Sequence, residues 1–187
     1  AFIVFLSSNL VFDGKSPFTK AEDPVCPMTE YGRQKAKVEK ELLSLEGRAA
    51  VVRFSKVLGP GNMLFEKWIK DLRNGKTIHP FADLVFSPVS DAFAVQVLHQ
   101  IGERNLSGTI QVSGESEITY EQAAMYIAKL IGANSNLIKP VLSSQSGLKM
   151  EWVPRHCTLD ISRLKNELGM VPADIWQTIN QVINPKK

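Results

Sequence analysis

A tyrosine and a lysine four positions apart are the residues of this sequence best suited to proton transfer. On a helix, Tyr31 and Lys35 share one face. Phenols have an ordinary pKa of about 10, and a nearby ammonium group stabilises the phenolate, which eases proton exchange near neutral pH. The same spacing also fits a core tyrosine and a solvated lysine on an amphipathic helix, so the choice depends on the surrounding residues.

Two serines that precede this pair offer hydroxyl groups to the same chemistry. Ser7 and Ser8 follow an apolar run at residues 1–6, which predicts a parallel strand buried on both faces. Open parallel sheets bind their ligands at the carboxyl ends of their strands. A serine hydroxyl at that end can hydrogen-bond a substrate carbonyl oxygen that also meets Tyr31, so the sequence favours chemistry on one C–O group.

The elements that must position these residues alternate between strands and helices. Apolar runs predict strands at residues 1–6, 49–54 and 108–112, with shorter ones at 77–81 and 138–142. Helical spacing predicts helices at residues 29–45, 64–72, 90–101, 119–131, 160–168 and 173–183, with Thr29 and Thr119 as N-caps. The apolar stripe of the first helix consists of Tyr31, Val38, Leu42 and Leu45. This alternation predicts an α/β protein with a mostly parallel sheet.

The composition excludes several classes of protein. The 187 residues carry a formal charge of +3 from scattered side chains, so neither a nucleic-acid partner nor a basic membrane patch is expected. The longest apolar run is far shorter than the roughly 18 residues of a membrane helix. Two cysteines are too few for a disulfide scaffold, and the isolated pair His156 and Cys157 does not predict a metal site. A cytoplasmic globular protein is therefore expected.

Five sequence blocks, taken together, resemble the extended short-chain dehydrogenase/reductases. The closest branch is that of dTDP-4-dehydrorhamnose reductase and its relatives among the sugar-nucleotide epimerases and dehydratases. The likeness covers nearly the whole chain. The blocks are Phe5-Leu-Ser-Ser-Asn-Leu-Val-Phe-Asp-Gly14, Tyr31-Gly-Arg-Gln-Lys35, Val57-Leu-Gly-Pro-Gly61, Phe86-Ser-Pro-Val-Ser-Asp91 and Leu159-Asp-Ile-Ser-Arg-Leu164.

This resemblance implies a fold and a reaction. The fold is the later part of a Rossmann-like parallel sheet with a small C-terminal α/β substrate-binding lobe. Residues 1–60 form the second half of the catalytic domain, and residues 61–187 hold the rest of the sheet and the lobe. The reaction is hydride transfer between NAD or NADP and a nucleotide-linked sugar, and the resemblance leaves open whether the enzyme is a reductase, an epimerase or a dehydratase.

The resemblance also assigns roles to individual residues. Ser8 polarises the substrate carbonyl, Tyr31 exchanges the proton, and Lys35 holds the nicotinamide ribose. The expected cofactor contacts are Ser7, Tyr31, Lys35, Phe54 and Val57. The expected substrate contacts are Asn9, Lys56, Asn62 and Phe86. Arg155 is a further candidate for a diphosphate contact, with an ordinary surface arginine as the equally weighted alternative.

The chain departs from the family pattern at two places. Ser8-Asn9-Leu10 stands where the reductase branch usually has Thr-Asp-Tyr, so the resemblance does not fix the sugar. The glycine-rich dinucleotide fingerprint is absent, and Gly59-Pro-Gly61 fits a turn better than a pyrophosphate cradle. We therefore expect roughly 90 to 110 residues to precede this chain in a longer protein.

Two expectations about behaviour follow from that incompleteness. The 187-residue chain alone is expected to be inactive, and it is expected to form a homodimer or to pair with an N-terminal segment. A competing hypothesis is a non-catalytic regulatory or binding protein that retains the fold, because the regulatory subunit of methionine adenosyltransferase resembles the same reductases.

Overall fold

Three parallel strands form the main sheet of the computed structural model, which describes residues 1–147 and 152–184. β1 (Ile3–Ser8) and β6 (Gly108–Val112) lie on either side of β2 (Ala49–Phe54). The three strands run in the same direction, so their carboxyl ends meet at one edge of the sheet. The order β1-β2-β6 needs crossover connections, which helices supply.

Two smaller sheets lie further along the chain. β3 (Lys56–Leu58) pairs in parallel with β5 (Pro88–Ser90), and β4 (Val85–Phe86) pairs in antiparallel with β7 (Ile118–Thr119). β3 begins two residues after β2 ends, so the path that leaves the carboxyl end of the main sheet passes directly into this second region.

Helices occupy the connections between these strands. Thr29 accepts a hydrogen bond from the Gly32 N–H, and Thr119 forms a reciprocal capping box with Gln122, so both predicted N-caps are confirmed. The helices are α1 (Glu30–Leu43), α2 (Met63–Arg73), α3 (Asp91–Arg104), α4 (Tyr120–Leu130), α5 (Ser162–Leu168) and α6 (Ile175–Ile183).

Two large apolar clusters and a small one, made of Val11, Phe12 and Leu159, fill the interior of the described residues. The first lies between the main sheet and α3 and α5, and Val52, Ile101 and Leu164 are completely buried there. The second lies among α2, α4 and α6 and includes Trp68 and Ile179. The predicted α/β class, with a Rossmann-like parallel sheet and a smaller C-terminal lobe, is confirmed.

Within the described residues, β1 lies at the edge of the main sheet, and Ile3 and Leu6 are 41% and 49% exposed, so burial of this strand on both faces is not seen in the chain by itself. An apolar run predicts a strand correctly here, but its burial depends on neighbours that the run itself does not specify.

Other differences from the predictions are local. The short strands expected at residues 77–81 and 138–142 are reduced to two isolated bridges, Ile78 to Ile138 and Phe81 to Val141. The predicted apolar stripe of α1 is also wrong, because Tyr31 is half-exposed. In the described parts of the chain, no helix has the length and apolar character needed to cross a membrane.

Candidate active site

The carboxyl end of β1 presents two serine hydroxyls with different surroundings. Ser8 caps a short 3-10 turn, where its Oγ accepts a hydrogen bond from the Leu10 N–H at 3.2 Å and donates to Asn9 Oδ1 at 3.3 Å. Ser7 is buried, and its hydroxyl has no hydrogen-bond partner among the described residues. At the end of β1, the Ser8 hydroxyl is therefore hydrogen-bonded, whereas, within the described part of the chain, the Ser7 hydroxyl is not.

Lys35 joins the first turns of α1 to this strand end. Its Nζ donates a hydrogen bond to the Leu6 carbonyl oxygen at 2.8 Å. The same ammonium lies 4.7 Å from the centroid of the Phe5 ring and 5.6 Å from that of the Tyr31 ring. Tyr31 is 50% exposed, so its ring is open to a ligand that approaches this end of the sheet.

A glycine contact explains how the start of α1 comes so close to the segment after Ser8. A Cβ atom built on Gly32 lies closer to the Leu10 carbonyl oxygen than the 3.0 Å at which real Cβ atoms stop. Only a residue without a side chain allows this approach. Gly32 follows Tyr31 directly, and Leu10 lies two residues after Ser8, so the contact brings the two predicted catalytic segments together.

The residues predicted to border the nicotinamide and the sugar occupy varied positions. Phe54 ends β2 and packs partly against the sheet core. Lys56 and Val57 are exposed on β3. Asn62 caps α2, where its Oδ1 accepts a hydrogen bond from the Phe65 N–H at 3.1 Å.

Phe86 is the predicted substrate contact with the least accessible side chain. It is 3% exposed, and its ring lies 4.6 Å from the Tyr120 ring, centroid to centroid. This packing leaves little of the Phe86 ring for a ligand to contact.

Glu117 is a residue of this region that sequence reasoning missed. Its carboxylate accepts hydrogen bonds from the backbone N–H groups of Cys157 at 2.8 Å and Thr158 at 3.3 Å, and its Oε1 lies 2.6 Å from His156 Nδ1. These contacts, called the Glu117 clamp below, hold the segment that contains the exposed Arg155. No local periodicity marks this contact, because it joins residues about 40 positions apart.

The same segment is also attached to the loop that follows β1. The His156 N–H donates to the Gly14 carbonyl oxygen at 2.9 Å, and Trp152 Nε1 donates to the Asp13 carbonyl oxygen at 2.8 Å. Arg155 lies in the sequence between Trp152 and His156, which make these two hydrogen bonds. The segment that carries Arg155 therefore lies against the loop that follows Ser8.

Cys157 lies beside two of the predicted substrate residues. Asn9 and Cys157 line the same small cavity, and both Asn9 and the positive charge of Lys56 act to lower the pKa of the thiol. Burial, followed by the charge of Glu117, raises the pKa of Cys157 to about 12, so the thiol is protonated and is no nucleophile near neutral pH.

The side chains of this region suit some kinds of chemistry better than others. Among the described residues, no group of three or more His, Cys, Asp or Glu side chains could hold a metal ion. At the end of β1, the Lys35 ammonium is bonded to the Leu6 carbonyl oxygen, two residues before the Ser8 hydroxyl, and lies over the Tyr31 ring. A hydroxyl, a phenol and an ammonium group are a set able to polarise a carbonyl and exchange a proton with its oxygen.

Solved structures share this fold. The dTDP-4-dehydrorhamnose reductase of Bacillus anthracis, in complex with NADP, superposes with a TM-score of 0.88 at 21% identity, covering 100% of this chain and 66% of its own. MoeE5, in complex with UDP-glucuronic acid and NAD, gives a TM-score of 0.80 at 19% identity, covering 97% of this chain and 64% of its own. At these identities the likeness establishes the fold.

Curated relatives match most of the chain at low identity. The probable low-salt glycan biosynthesis reductase of Haloferax volcanii is 27% identical over 89% of this chain and 57% of its own length. The dTDP-4-dehydrorhamnose reductase of Aggregatibacter actinomycetemcomitans is 26% identical over 94% and 63%. Methionine adenosyltransferase 2 subunit beta of Bos taurus is 28% identical over 88% and 52%.

The chain spans between about half and two thirds of the length of these curated relatives. The model of the RmlD substrate binding domain matches residues 1–187, which is the whole chain. The predicted resemblance to the dTDP-4-dehydrorhamnose reductase branch is thereby confirmed, and the chain belongs to the RmlD substrate binding domain family.

Proposed function

We propose that this chain provides the catalytic and substrate-binding part of an NAD(P)-dependent oxidoreductase or epimerase that acts on a nucleotide-linked sugar. Two of its curated relatives are reductases, and proteins of the same fold bind NADP, or NAD together with UDP-glucuronic acid. Ser8, Tyr31 and Lys35 are the proposed catalytic residues.

One hydrogen bond carries the proposal. The 2.8 Å bond from Lys35 Nζ to the Leu6 carbonyl oxygen ties the Tyr-x-x-x-Lys helix to the end of the strand that finishes in Ser8. The bond places the Lys35 ammonium at the carboxyl end of β1, beside Ser8, and this placement supports a functional pair over a chance spacing.

The proposed residues divide the proton chemistry among them. Tyr31 gives its hydroxyl proton to the carbonyl oxygen of the sugar, or removes that proton in the reverse direction. The Ser8 hydroxyl turns from Asn9 Oδ1 to the substrate, donates a hydrogen bond to the same oxygen and orients it. Lys35 places a positive charge beside the phenolate that Tyr31 becomes after it donates, which stabilises that form.

The chain offers groups that fit the nicotinamide end of the cofactor. Ser7 has a buried hydroxyl without a partner among the described residues, and Val57 is exposed on the strand after β2. Together with Tyr31, Lys35 and Phe54, they are the proposed cofactor contacts. When bound, NAD(P) supplies or accepts the hydride at the sugar carbon.

The substrate end of the proposed site combines an amide with two cations. Asn9 lines a small cavity with Cys157, Lys56 is exposed on β3, and Arg155 is carried on the segment that Glu117 holds. Ammonium and guanidinium groups suit the diphosphate of a nucleotide sugar. Asn62 remains a proposed contact at the start of α2.

The proposal is tested by turnover in the protein that carries this chain. With NAD(P)H and a panel of nucleotide-linked 4-keto sugars, Tyr31→Phe is expected to lower kcat about 10²–10⁴-fold while cofactor affinity changes little, because only the proton carrier is removed. Lys35→Ala is expected to lower both kcat and the affinity for the cofactor. Tyr126→Phe, on α4, is the matched control and should retain full activity. If Tyr31→Phe turns over like the parent, the proposed roles are wrong.

A second candidate is a non-catalytic regulatory subunit with the same fold. The observation that favours it is the 28% identity to methionine adenosyltransferase 2 subunit beta, which is as high as the 27% and 26% identity to the two reductases. This candidate predicts cofactor binding without turnover of any sugar in the panel, and no effect of Tyr31→Phe on the protein's behaviour.

A further inference from the structure

Helix α1, which carries Tyr31 and Lys35, is attached to the rest of the molecule in an unexpected way. Its buried residues, among those described, are Gly32 and Glu39, whereas its apolar Val38 is exposed. Helices usually hold their place by burying an apolar stripe. In α1, a glycine contact and a buried carboxylate take over that task.

Glu39 forms an ion pair with Arg53 of β2 inside the protein. Both residues are 3% exposed. Arg53 Nη2 donates to Glu39 Oε2 at 2.8 Å, and Arg53 Nε lies 3.1 Å and 3.2 Å from the two carboxylate oxygens. Such a two-pronged arrangement of hydrogen bonds, called the fork below, fixes the direction of the Glu39 carboxylate relative to Arg53 as well as the distance between them. Because Glu39 lies one helical turn after Lys35, the fork sets the rotation and height of α1 at Lys35.

The same guanidinium also holds the loop that joins β1 to α1. Arg53 Nη1 donates to the Ala21 carbonyl oxygen at 3.0 Å, and Arg53 Cζ lies 4.8 Å from the centroid of the Phe12 ring. Gln111, the register neighbour of Arg53 on β6, donates to the Thr19 carbonyl oxygen at 2.9 Å. One arginine therefore connects a strand, a helix and a loop.

The energetics of this pair favour a geometric role. Removing two charges from water is costly, and apolar residues of similar volume often stabilise a protein as well or better. We infer that Arg53 and Glu39 are positioning residues, which fix α1 so that Lys35 reaches the carboxyl end of β1 and Tyr31 stands beside it. The catalytic meaning of this inference rests on the proposed function.

The position of Lys35 can be measured in the 187-residue chain without any reaction. Limited acetylation with acetic anhydride, followed by mass spectrometry, compares Lys35 with the exposed Lys37 of the same helix. Arg53→Lys and Glu39→Gln each lose hydrogen bonds to a charged group, and we expect relative labelling of Lys35 to rise about tenfold or more. Glu41→Gln, an exposed glutamate of α1, should leave the ratio unchanged.

A double variant separates position from stability. Glu39→Leu with Arg53→Met removes both charges and retains most of the volume, so the thermal midpoint should stay near that of the parent. Labelling of Lys35 should still rise. In a protein that turns over, kcat should fall about 10²-fold, as expected for a displaced catalytic group.

Equal labelling of Lys35 in the parent, Arg53→Lys and Glu39→Gln overturns the inference. So does a double variant that keeps both the thermal midpoint and the protection of Lys35. A parent without turnover overturns the proposed function alone, because labelling reports the position of the helix and needs no substrate.

Discussion

At the scale of single residues, the two cysteines differ in a way that the sequence does not show. Cys26 is exposed, whereas Cys157 is buried and its thiol donates a hydrogen bond to the Val85 carbonyl oxygen. Burial and the charge of Glu117 raise the pKa of Cys157 to about 12. The reactive form of a cysteine is the thiolate, so the two thiols should react at very different rates.

Thiol labelling tests this difference directly. In the native protein, Ellman's reagent should modify about one thiol quickly, and Cys26→Ser should abolish that fast phase. Denaturant should then expose the second thiol. A fast phase that persists in native Cys26→Ser would show that Cys157 is accessible and ionised, contrary to its surroundings in the structure.

At the scale of elements, α1 shows which features a sequence can predict. Thr29 marks its start correctly, because an N-cap acts on N–H groups two or three residues away. The buried face could not be predicted, because it depends on Arg53, which lies beyond the helix. An arginine inside the apolar run at residues 49–54 was the available signal, since a buried charge requires a partner.

Gly32 gives the sharpest test of how α1 is seated. Gly32→Ala forces a Cβ atom into the Leu10 carbonyl oxygen, which is backbone and cannot move aside, so we expect a loss of about 1–3 kcal/mol of unfolding free energy. Gly102→Ala, within α3, meets no atom within 4 Å and should gain about 0.5–1 kcal/mol. Urea unfolding measures both. An equal gain in unfolding free energy in the two variants would mean that α1 is not held against the turn that contains Leu10.

Asp83 connects two segments of the C-terminal region and makes stability depend on pH. Its carboxylate accepts the Ser143 N–H at 2.8 Å and the Ser143 hydroxyl at 2.6 Å. Asp83 is exposed, and the partial loss of water around its carboxylate acts to raise its pKa, but these hydrogen bonds outweigh that effect and hold the pKa below the usual 3.8. A lowered folded-state pKa stabilises the protein above pH 3.8, and that contribution is lost as the pH falls through the folded value.

Asp83→Asn should therefore lower the unfolding free energy by at most about 1 kcal/mol at neutral pH, because the hydrogen bonds lose their charged acceptor but solvent screens this exposed side chain. The difference from the parent should shrink as the pH falls below 3.8. Thermal unfolding at several pH values measures it, with the exposed Glu22→Gln as the control. A difference that stays constant down to pH 2 would contradict the role of the carboxylate charge.

At the scale of the whole molecule, local signals predicted the class of fold, and contacts between distant residues decided the rest. Periodicity and caps identified the strands and helices of the main sheet. The clamp of Glu117 on Cys157 and the bond from Trp152 to Asp13 join residues about 40 and 139 positions apart, and no local pattern encodes them. A motif predicts the proposed site residues, whereas the residues that hold their helix and loop in place could be identified only from the coordinates.

The dinucleotide should bind weakly to the 187-residue chain. Affinity for NAD(P) depends on backbone N–H groups at a glycine-rich helix start that meet the pyrophosphate. The Gly59 turn is a poor substitute, because a Cβ built there approaches the carboxylate of Asp91 closer than 3.0 Å, and a carboxylate repels phosphate. In the proposed site, Tyr31 and Lys35 contact only the nicotinamide end of the cofactor.

Calorimetric titration of the 187-residue chain with NAD and NADP should therefore show no saturable binding at micromolar concentrations, and Lys35→Ala should give the same trace as the parent. A nucleoside diphosphate titrated in parallel is the control for the substrate end, where Lys56 and Arg155 supply positive charge. Micromolar binding of NAD(P) by a monomer, lost in Lys35→Ala, would place the complete dinucleotide site within these residues and contradict the proposal that they supply only its nicotinamide end.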